Sequence, residues 1–279
     1  MSTPLLHRRT LLTTLGPMAA GAGVPTRRAF AQTRTAQSHA PEDPWPALAA
    51  QIFDGKPVRM DNPVLGIDAP YRAEDAAVVP VTLRRLAPAQ DAPIRAITLM
   101  IDENPSPLAA KFTLGEASGI RIISTRVRVD SYTKLHAVAA LADGALVGSE
   151  RFVKAAGGCS APAAKQEAGQ IPLGTMRFRQ FPPAAGSDLP EAELLVRHPN
   201  FTGMQMDQLT RLYVPAHYVA AVRIWQGDDL LLTVDSGISI SENPAFRFSY
   251  QPNGARSFRA EVQDSEGKVF RDSWTAAPA

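Results

Sequence analysis

Leu135-His136-Ala137-Val138-Ala139-Ala140-Leu141, then Ala142-Asp143-Gly144-Ala145, then Leu146-Val147-Gly148-Ser149-Glu150-Arg151-Phe152-Val153 is the stretch on which the fold turns. Two apolar-rich runs flank an Asp-Gly pair. Glycine tolerates the positive φ that a tight hairpin turn demands, so the stretch reads as two antiparallel strands.

Outward from this hairpin the same grammar repeats. Before it, Val78 to Leu83 and Ile94 to Ile101 are rich in β-branched residues, and Ile120 to Val129 places Arg126 and Arg128 opposite Val127 and Val129. That alternation predicts a strand with both arginines facing outward. After it, strands are expected over Thr175–Gln180, Glu193–His198, Ala245–Tyr250, Ser257–Val262 and Lys268–Trp274. A second hairpin runs from Tyr218–Trp225 through Gln226-Gly227-Asp228-Asp229 to Leu230–Val234. Trp225 and Trp274 read as core, and Asp102-Glu103 and Asp228-Asp229 as solvated acids near turns. The one helical pattern is near Pro46–Phe53, where Trp45, Leu48, Ile52 and Phe53 precede Gly55. Many short strands with 24 prolines and 19 glycines predict an all-β chain of two immunoglobulin-like β-sandwich domains, at 40–154 and 175–275.

The first 31 residues read as an address. Arg8-Arg9 precedes a short apolar run, and Ala29-Phe30-Ala31 offers a small-x-small cleavage site. A basic start, a short apolar stretch and such a site make a signal peptide, and the paired arginines point to twin-arginine export to the periplasm. No later stretch reaches the eighteen apolar residues of a membrane span. Charged residues are 20% of the chain and the net charge is +2, which indicates no nucleic-acid surface.

The chain has a single cysteine, Cys159, in Ala155-Ala156-Gly157-Gly158-Cys159-Ser160-Ala161-Pro162. It lies in the expected linker, 155–174, directly after the strand ending at Val153. Small residues on both sides predict a mobile, exposed thiol. One reading is a neutral linker cysteine. The other follows from the compartment, since an unpaired cysteine in an exported protein suggests intermolecular chemistry or a reactive thiol.

The quoted stretches also carry a family resemblance. Ala73-Glu74-Asp75, Val79-Pro80-Val81, Asp102-Glu103-Asn104-Pro105-Ser106-Pro107, Thr125-Arg126-Val127-Arg128, Asp143-Gly144 and Gly157-Gly158-Cys159 resemble SoxY, the sulfur-carrying subunit of SoxYZ. His198-Pro199, Thr202-Gly203, Val214 to Tyr218, Ser239 to Pro244 and Asp264-Ser265-Glu266-Gly267 resemble SoxZ. A chain holding both halves is similar to the SoxYZ-like carriers associated with quinoprotein dehydrogenases. The resemblance implies covalent attachment of a sulfur intermediate at Cys159, with Gly157, Gly158 and Ser160 as the carrier arm. It implies no cofactor, no metal and no turnover of the chain's own. The partners it implies are a quinoprotein dehydrogenase, a c-type cytochrome or Sox-type enzymes. A homodimer through Cys159 is compatible with an oxidising compartment.

Two departures stand out. Ser160-Ala161 replaces the second glycine pair of the family's Gly-Gly-Cys-Gly-Gly tail, and the chain continues instead of ending. An arm pinned at both ends enters a partner doubled, so the partner's mouth is expected to be shallower than a channel that takes a free tail. Other chemistry is sparse. His198 and His217 stand nineteen apart without a further ligand at metal spacing, and structural roles are expected for both. Alongside the carrier, two readings stay open: an accessory or assembly subunit of a quinoprotein alcohol dehydrogenase system, and, as the weakest, a small redox enzyme.

Overall fold

The hairpin forms as read. Strand β7 (Thr133–Leu141) pairs antiparallel with β8 (Leu146–Val153), from Thr133 opposite Val153 to Ala140 opposite Leu146. Gly144 takes φ +84°, and Asp143 accepts the Ala145 N–H at 2.9 Å to close the turn. The computed structural model describes residues 43–60, 64–86, 93–162, 171–183 and 187–276. The expected signal peptide (1–31), residues 40–42 of the expected first sandwich and linker residues 163–170 lie outside the described residues.

The remaining elements of the first half are α1 (Trp45–Ile52), β1 (Val58–Arg59), β2 (Leu65–Asp68), β3 (Val79–Arg85), β4 (Ile94–Ile101), β5 (Leu108–Leu114) and β6 (Ile122–Val127). The second half supplies β9 (Met176–Phe181), β10 (Glu191–Val196), β11 (Val219–Gln226), β12 (Asp229–Ser236), β13 (Ala245–Ser249), β14 (Ser257–Asp264) and β15 (Val269–Thr275). The fold is all-β with one short helix.

Two sheets face each other across one hydrophobic core. The larger has the order β1-β8-β7-β4-β5-β12-β11-β14-β15 and the smaller β2-β3-β6-β13-β10-β9. Both sheets therefore run through the two halves of the sequence. The halves join edge to edge, at β5–β12 over Ala110 to Leu114 and at β6–β13 through Ile123 and Ser124. Pairing of this kind removes the exposed edges that each half would otherwise present. Beneath the seam, Phe112 of β5 meets Phe246 of β13 edge-on, with ring centroids 6.4 Å apart and both side chains buried. Asp43–Ala279 forms a single compact unit.

Several expectations change. Strands β1, β2 and β5 were not legible, and β6 ends at Val127, so alternation does not reach Arg128. Arg128 is 1% exposed instead of outward-facing. Asp102 is likewise buried, because His136 Nδ1 lies 2.9 Å from its Oδ1. Strands β4 and β7 are buried on both faces along most of their length, and Trp45 of α1 stacks on His136 of β7 with ring centroids 3.7 Å apart. Trp274 is half-buried, stacked on Phe178 at 5.0 Å, while Trp225 lies beneath the Arg259 guanidinium instead of in the core.

If the seam makes the halves interdependent, cleavage at a protease site placed within 163–170 leaves both fragments in one species on size-exclusion chromatography, with one thermal transition. Phe246→Ala costs about 3–5 kcal/mol and lowers that transition as a whole. Separate melting of the two halves would contradict the shared core.

Candidate functional site

The segment after β8 is docked rather than free. Lys154 donates its N–H to Tyr71 O at 2.7 Å and accepts from Ala73 N at 3.1 Å. Three residues on, the chain lies along the segment that leaves β6. Gly157 N donates to Asp130 O at 2.8 Å, Gly158 N to Val129 O at 3.0 Å, and Cys159 N to Asp130 Oδ1 at 3.3 Å. The carbonyls are held too. Arg128 Nη1 donates to Gly158 O at 3.2 Å, and Thr202 Oγ1 donates to Cys159 O at 2.6 Å. The cysteine is thus clasped by both halves of the sequence.

The two glycines have separate tasks. Gly157 adopts φ +78°, which a side chain disfavours. A Cβ on Gly158 would stand 2.1 Å from Ala76 O and 2.6 Å from Val129 O, so only glycine permits this approach. Read from the sequence as part of the carrier arm, they let the main chain press against its platform in this docked state.

The stretches that carry the family resemblance converge on that platform. Asn104 Nδ2 donates to Arg128 O at 2.8 Å and to Ser239 Oγ at 2.9 Å, while its Oδ1 accepts the Asp130 N–H at 2.9 Å. Arg128 N donates to Ser239 O, and Val129 N to Ala76 O, each at 2.8 Å. Thr202 is fixed by Gln205, whose Oε1 accepts its N–H at 2.8 Å. Sequence reasoning placed Arg128 on an outward strand face and used Thr202-Gly203 only as matching letters. Gln205 and Asp130 went unnoticed, because nothing local in the sequence says that six distant segments, at Ala76, Asn104, Arg128–Asp130, Gly157–Cys159, Thr202–Gln205 and Ser239, meet.

The thiol itself is sealed, which corrects the expected exposed arm. Cys159 is 0% exposed, although Gly157 and Ser160 beside it are exposed. Ser160 Oγ donates to Gly157 O at 3.3 Å, tightening the turn around the cysteine. Burial, reinforced by the negative charge of Asp130 and partly opposed by Arg128, pushes the Cys159 pKa up to about 12. At neutral pH the sulfur is a protonated thiol and a poor nucleophile.

His198, His217 and Asp264 form the one group among the described residues whose ligating atoms lie close enough to surround a metal ion, within 4.8 Å of one another. His198 Nδ1 accepts the Asn200 N–H at 3.1 Å, which puts the ring proton of neutral His198 on Nε2. That nitrogen is buried and has no hydrogen-bond acceptor. A protonated Nε2 offers no lone pair to a metal. Burial, with the charge of His217, pushes the His198 pKa down to about 4, so the ring stays neutral. His217 Nε2 lies 2.9 Å from Asp264 Oδ2, whose other oxygen accepts the N–H groups of Glu266 and Lys268. The cluster ties the turn after β14 to the segment before β11.

Iodoacetamide at pH 8 is expected to modify native Cys159 far more slowly than an exposed cysteine, because the sealed sulfur is out of reach and held as the thiol until the segment opens. Gly158→Ala should accelerate labelling at least tenfold by lifting the segment from Ala76 and Val129. Unchanged labelling would show that the close approach does not hold the thiol. For His198, a folded pKa below the ordinary 6.5 means that stability is fully present above pH 6.5 and is lost as pH falls toward 4. In His198→Asn, whose Oδ1 replaces Nδ1, the decline in Tm across that window should flatten.

The SoxY family model (sulfur oxidation protein SoxY) matches residues 49–159 and the SoxZ model (sulphur oxidation protein SoxZ) residues 179–275. The first match ends on Cys159 itself. No curated protein matches. Among solved structures, a superoxide reductase (neelaredoxin) from Ignicoccus hospitalis aligns at 12% identity over 35% of this chain and 93% of its own, with a TM-score of 0.31. A likeness that slight carries no argument. The two family matches follow one another in a single polypeptide, and the chain is a fused SoxYZ-like protein.

Proposed function

We propose that this protein is a periplasmic carrier, exported by the twin-arginine route, that holds a sulfur intermediate covalently on Cys159 and presents it to partner enzymes without turnover of its own. The observation that carries the reading is position: the lone cysteine is the last residue of the SoxY match and is gripped by residues of both halves. The family assignment supports a carrier role in sulfur oxidation. The domain limits of 40–154 and 175–275, the pinned arm and the shallow partner mouth belong to the same reading.

Burial makes the carrier a closed one at rest. Five hydrogen bonds hold the main chain of residues 157–159. At a net worth of about 1 kcal/mol each, detaching the segment costs on the order of 5 kcal/mol, an open population of about one molecule in 10^3–10^4. Such a population is enough for exchange with a partner that captures the open form. The closed form shelters an unpaired thiol from oxidants. Glycines at 157 and 158 let the detached segment extend.

The same burial favours a second reading, an accessory subunit of a quinoprotein alcohol dehydrogenase system in which Cys159 only packs. The two readings separate cleanly. Under the carrier reading, intact-mass measurement of protein from the periplasm of sulfur-fed cells shows an adduct that reductant removes and Cys159→Ser lacks. Cells carrying Cys159→Ser then lose the dependent oxidation. An unmodified mass together with full function of Cys159→Ser would overturn the carrier and leave the accessory subunit.

A further inference from the structure

Next to the clamp on Cys159 stands a small hairpin whose apolar side chains face water. It starts one residue past Gln205, which holds Thr202, and its ends Met206 and Tyr213 meet as an antiparallel bridge. The backbone is fixed from within. Val214 N donates to Gln205 O at 2.8 Å, Asp207 N to Leu212 O at 2.9 Å and Arg211 N to Asp207 O at 2.9 Å. Asp207 Oδ1 accepts the Leu209 N–H at 3.0 Å, the Thr210 N–H at 2.7 Å and the Thr210 hydroxyl at 3.0 Å. On this ordered frame Leu209 is 93%, Leu212 69% and Tyr213 65% exposed, and Met206 is exposed beside them. Leu209 is the most exposed large apolar side chain among the described residues. Single exposed leucines are ordinary, whereas a group of them on one projecting turn marks an interaction site.

We propose that residues 206–213 are the docking element for the partner protein that takes the group on Cys159, and that an apolar groove beside that protein's active-site mouth receives Leu209, Leu212 and Tyr213. The choice of this partner rests on the carrier reading. Position argues for it. Gln205 Oε1 holds Thr202 N at 2.8 Å and Thr202 Oγ1 holds Cys159 O at 2.6 Å, so the hairpin is anchored to the clamp and a protein seated on it lies beside the cysteine. The first half adds exposed aromatics along the same segment. Tyr71, whose carbonyl receives Lys154 N, stands 6.0 Å from Phe152, and Tyr132 follows Asp130 by two residues.

Charge and size argue against the other occupants. The Asp207 carboxylate is spent inside the turn, and Arg211 is the one base of residues 206–213, whereas a lipid-surface segment clusters several. A stable dimer uses roughly 20–30 residues a side, far more than this tip supplies. The tip instead suits a partner held at a second point, as one that engages Cys159 is. Its internal hydrogen bonds lower the ordering cost of binding.

The test compares Leu209→Ser/Leu212→Ser in the full chain with wild type and with Cys159→Ser. Both changes fall on exposed side chains, so the Tm of the double variant and its rate of Cys159 labelling by iodoacetamide should equal those of wild type. Faster labelling would make the hairpin a support of the clamp and overturn the proposal. In sulfur-fed cells the double variant should lower the dependent oxidation about tenfold or more, as removal of apolar anchors does at protein interfaces, while Leu209→Met keeps it. Full oxidation by the double variant, with loss in Cys159→Ser, would overturn the docking element and leave the carrier. Full oxidation by Cys159→Ser would overturn the carrier reading and this choice of partner with it. Purified wild type should not sediment with vesicles of phosphatidylcholine and phosphatidylglycerol, and in the ultracentrifuge it should match the double variant. Vesicle binding or a dimer that the double variant abolishes would overturn the proposal in favour of a membrane or a second copy.

Discussion

The hydrogen bond from Thr202 Oγ1 to the carbonyl of Cys159, 2.6 Å long, joins a residue of the second half to the last residue of the SoxY match. It forms only because the two halves share their sheets. β5 continues into β12 and β6 into β13, so the segment leaving β6 and the loop carrying Thr202 are held in fixed relation. The close approach of Gly158 to Ala76 and Val129 supplies the opposite wall. Covalent fusion of the halves adds connectivity to an interface that already has the character of a domain interior, with Phe112 and Phe246 at its centre.

Much of the fold was legible because period-two alternation and turn chemistry are local signals. The hairpin of β7 and β8 was read from Asp143-Gly144, and β4 at Ile94–Ile101 has the expected limits. Strand β5 escaped because Leu108–Leu114 mixes alanines with one lysine and carries no turn pair of its own. The merging of two sandwiches into shared sheets could not be read from either half, since it depends on which edges meet. The same holds for the site. Cys159 is conspicuous in sequence, yet its burial is a tertiary fact set by Arg128, Asp130 and Thr202. The two arginines near the end of β6 show the limit of alternation. Arg126 stays at the surface side and bonds Asn243 O at 3.0 Å, while Arg128, one residue past the strand, turns inward.

A buried thiol with its pKa pushed up to about 12 and a carrier role make opposite demands. Under the proposed carrier reading, loading wants a thiolate in reach of a partner, whereas storage in an oxidising compartment wants a sulfur out of reach. The arrangement meets both through a short docked segment on a rigid body. The contacts that seal the sulfur are a handful of main-chain hydrogen bonds, weak beside the stability of a folded domain. Opening them leaves the core of the shared sheets intact. On the proposed reading, reactivity becomes a property of the open state, and a partner that binds this state would control when the sulfur is used.

The most direct measurement of this separation is the rate of Cys159 labelling across low concentrations of urea, set against global unfolding of the same sample. Exposure by detachment of residues 157–159 predicts a labelling free energy well below the global value and almost independent of urea, since little surface is uncovered. A labelling free energy equal to that of global unfolding, with the same urea dependence, would mean that the thiol never emerges from the folded protein, and it would contradict the account.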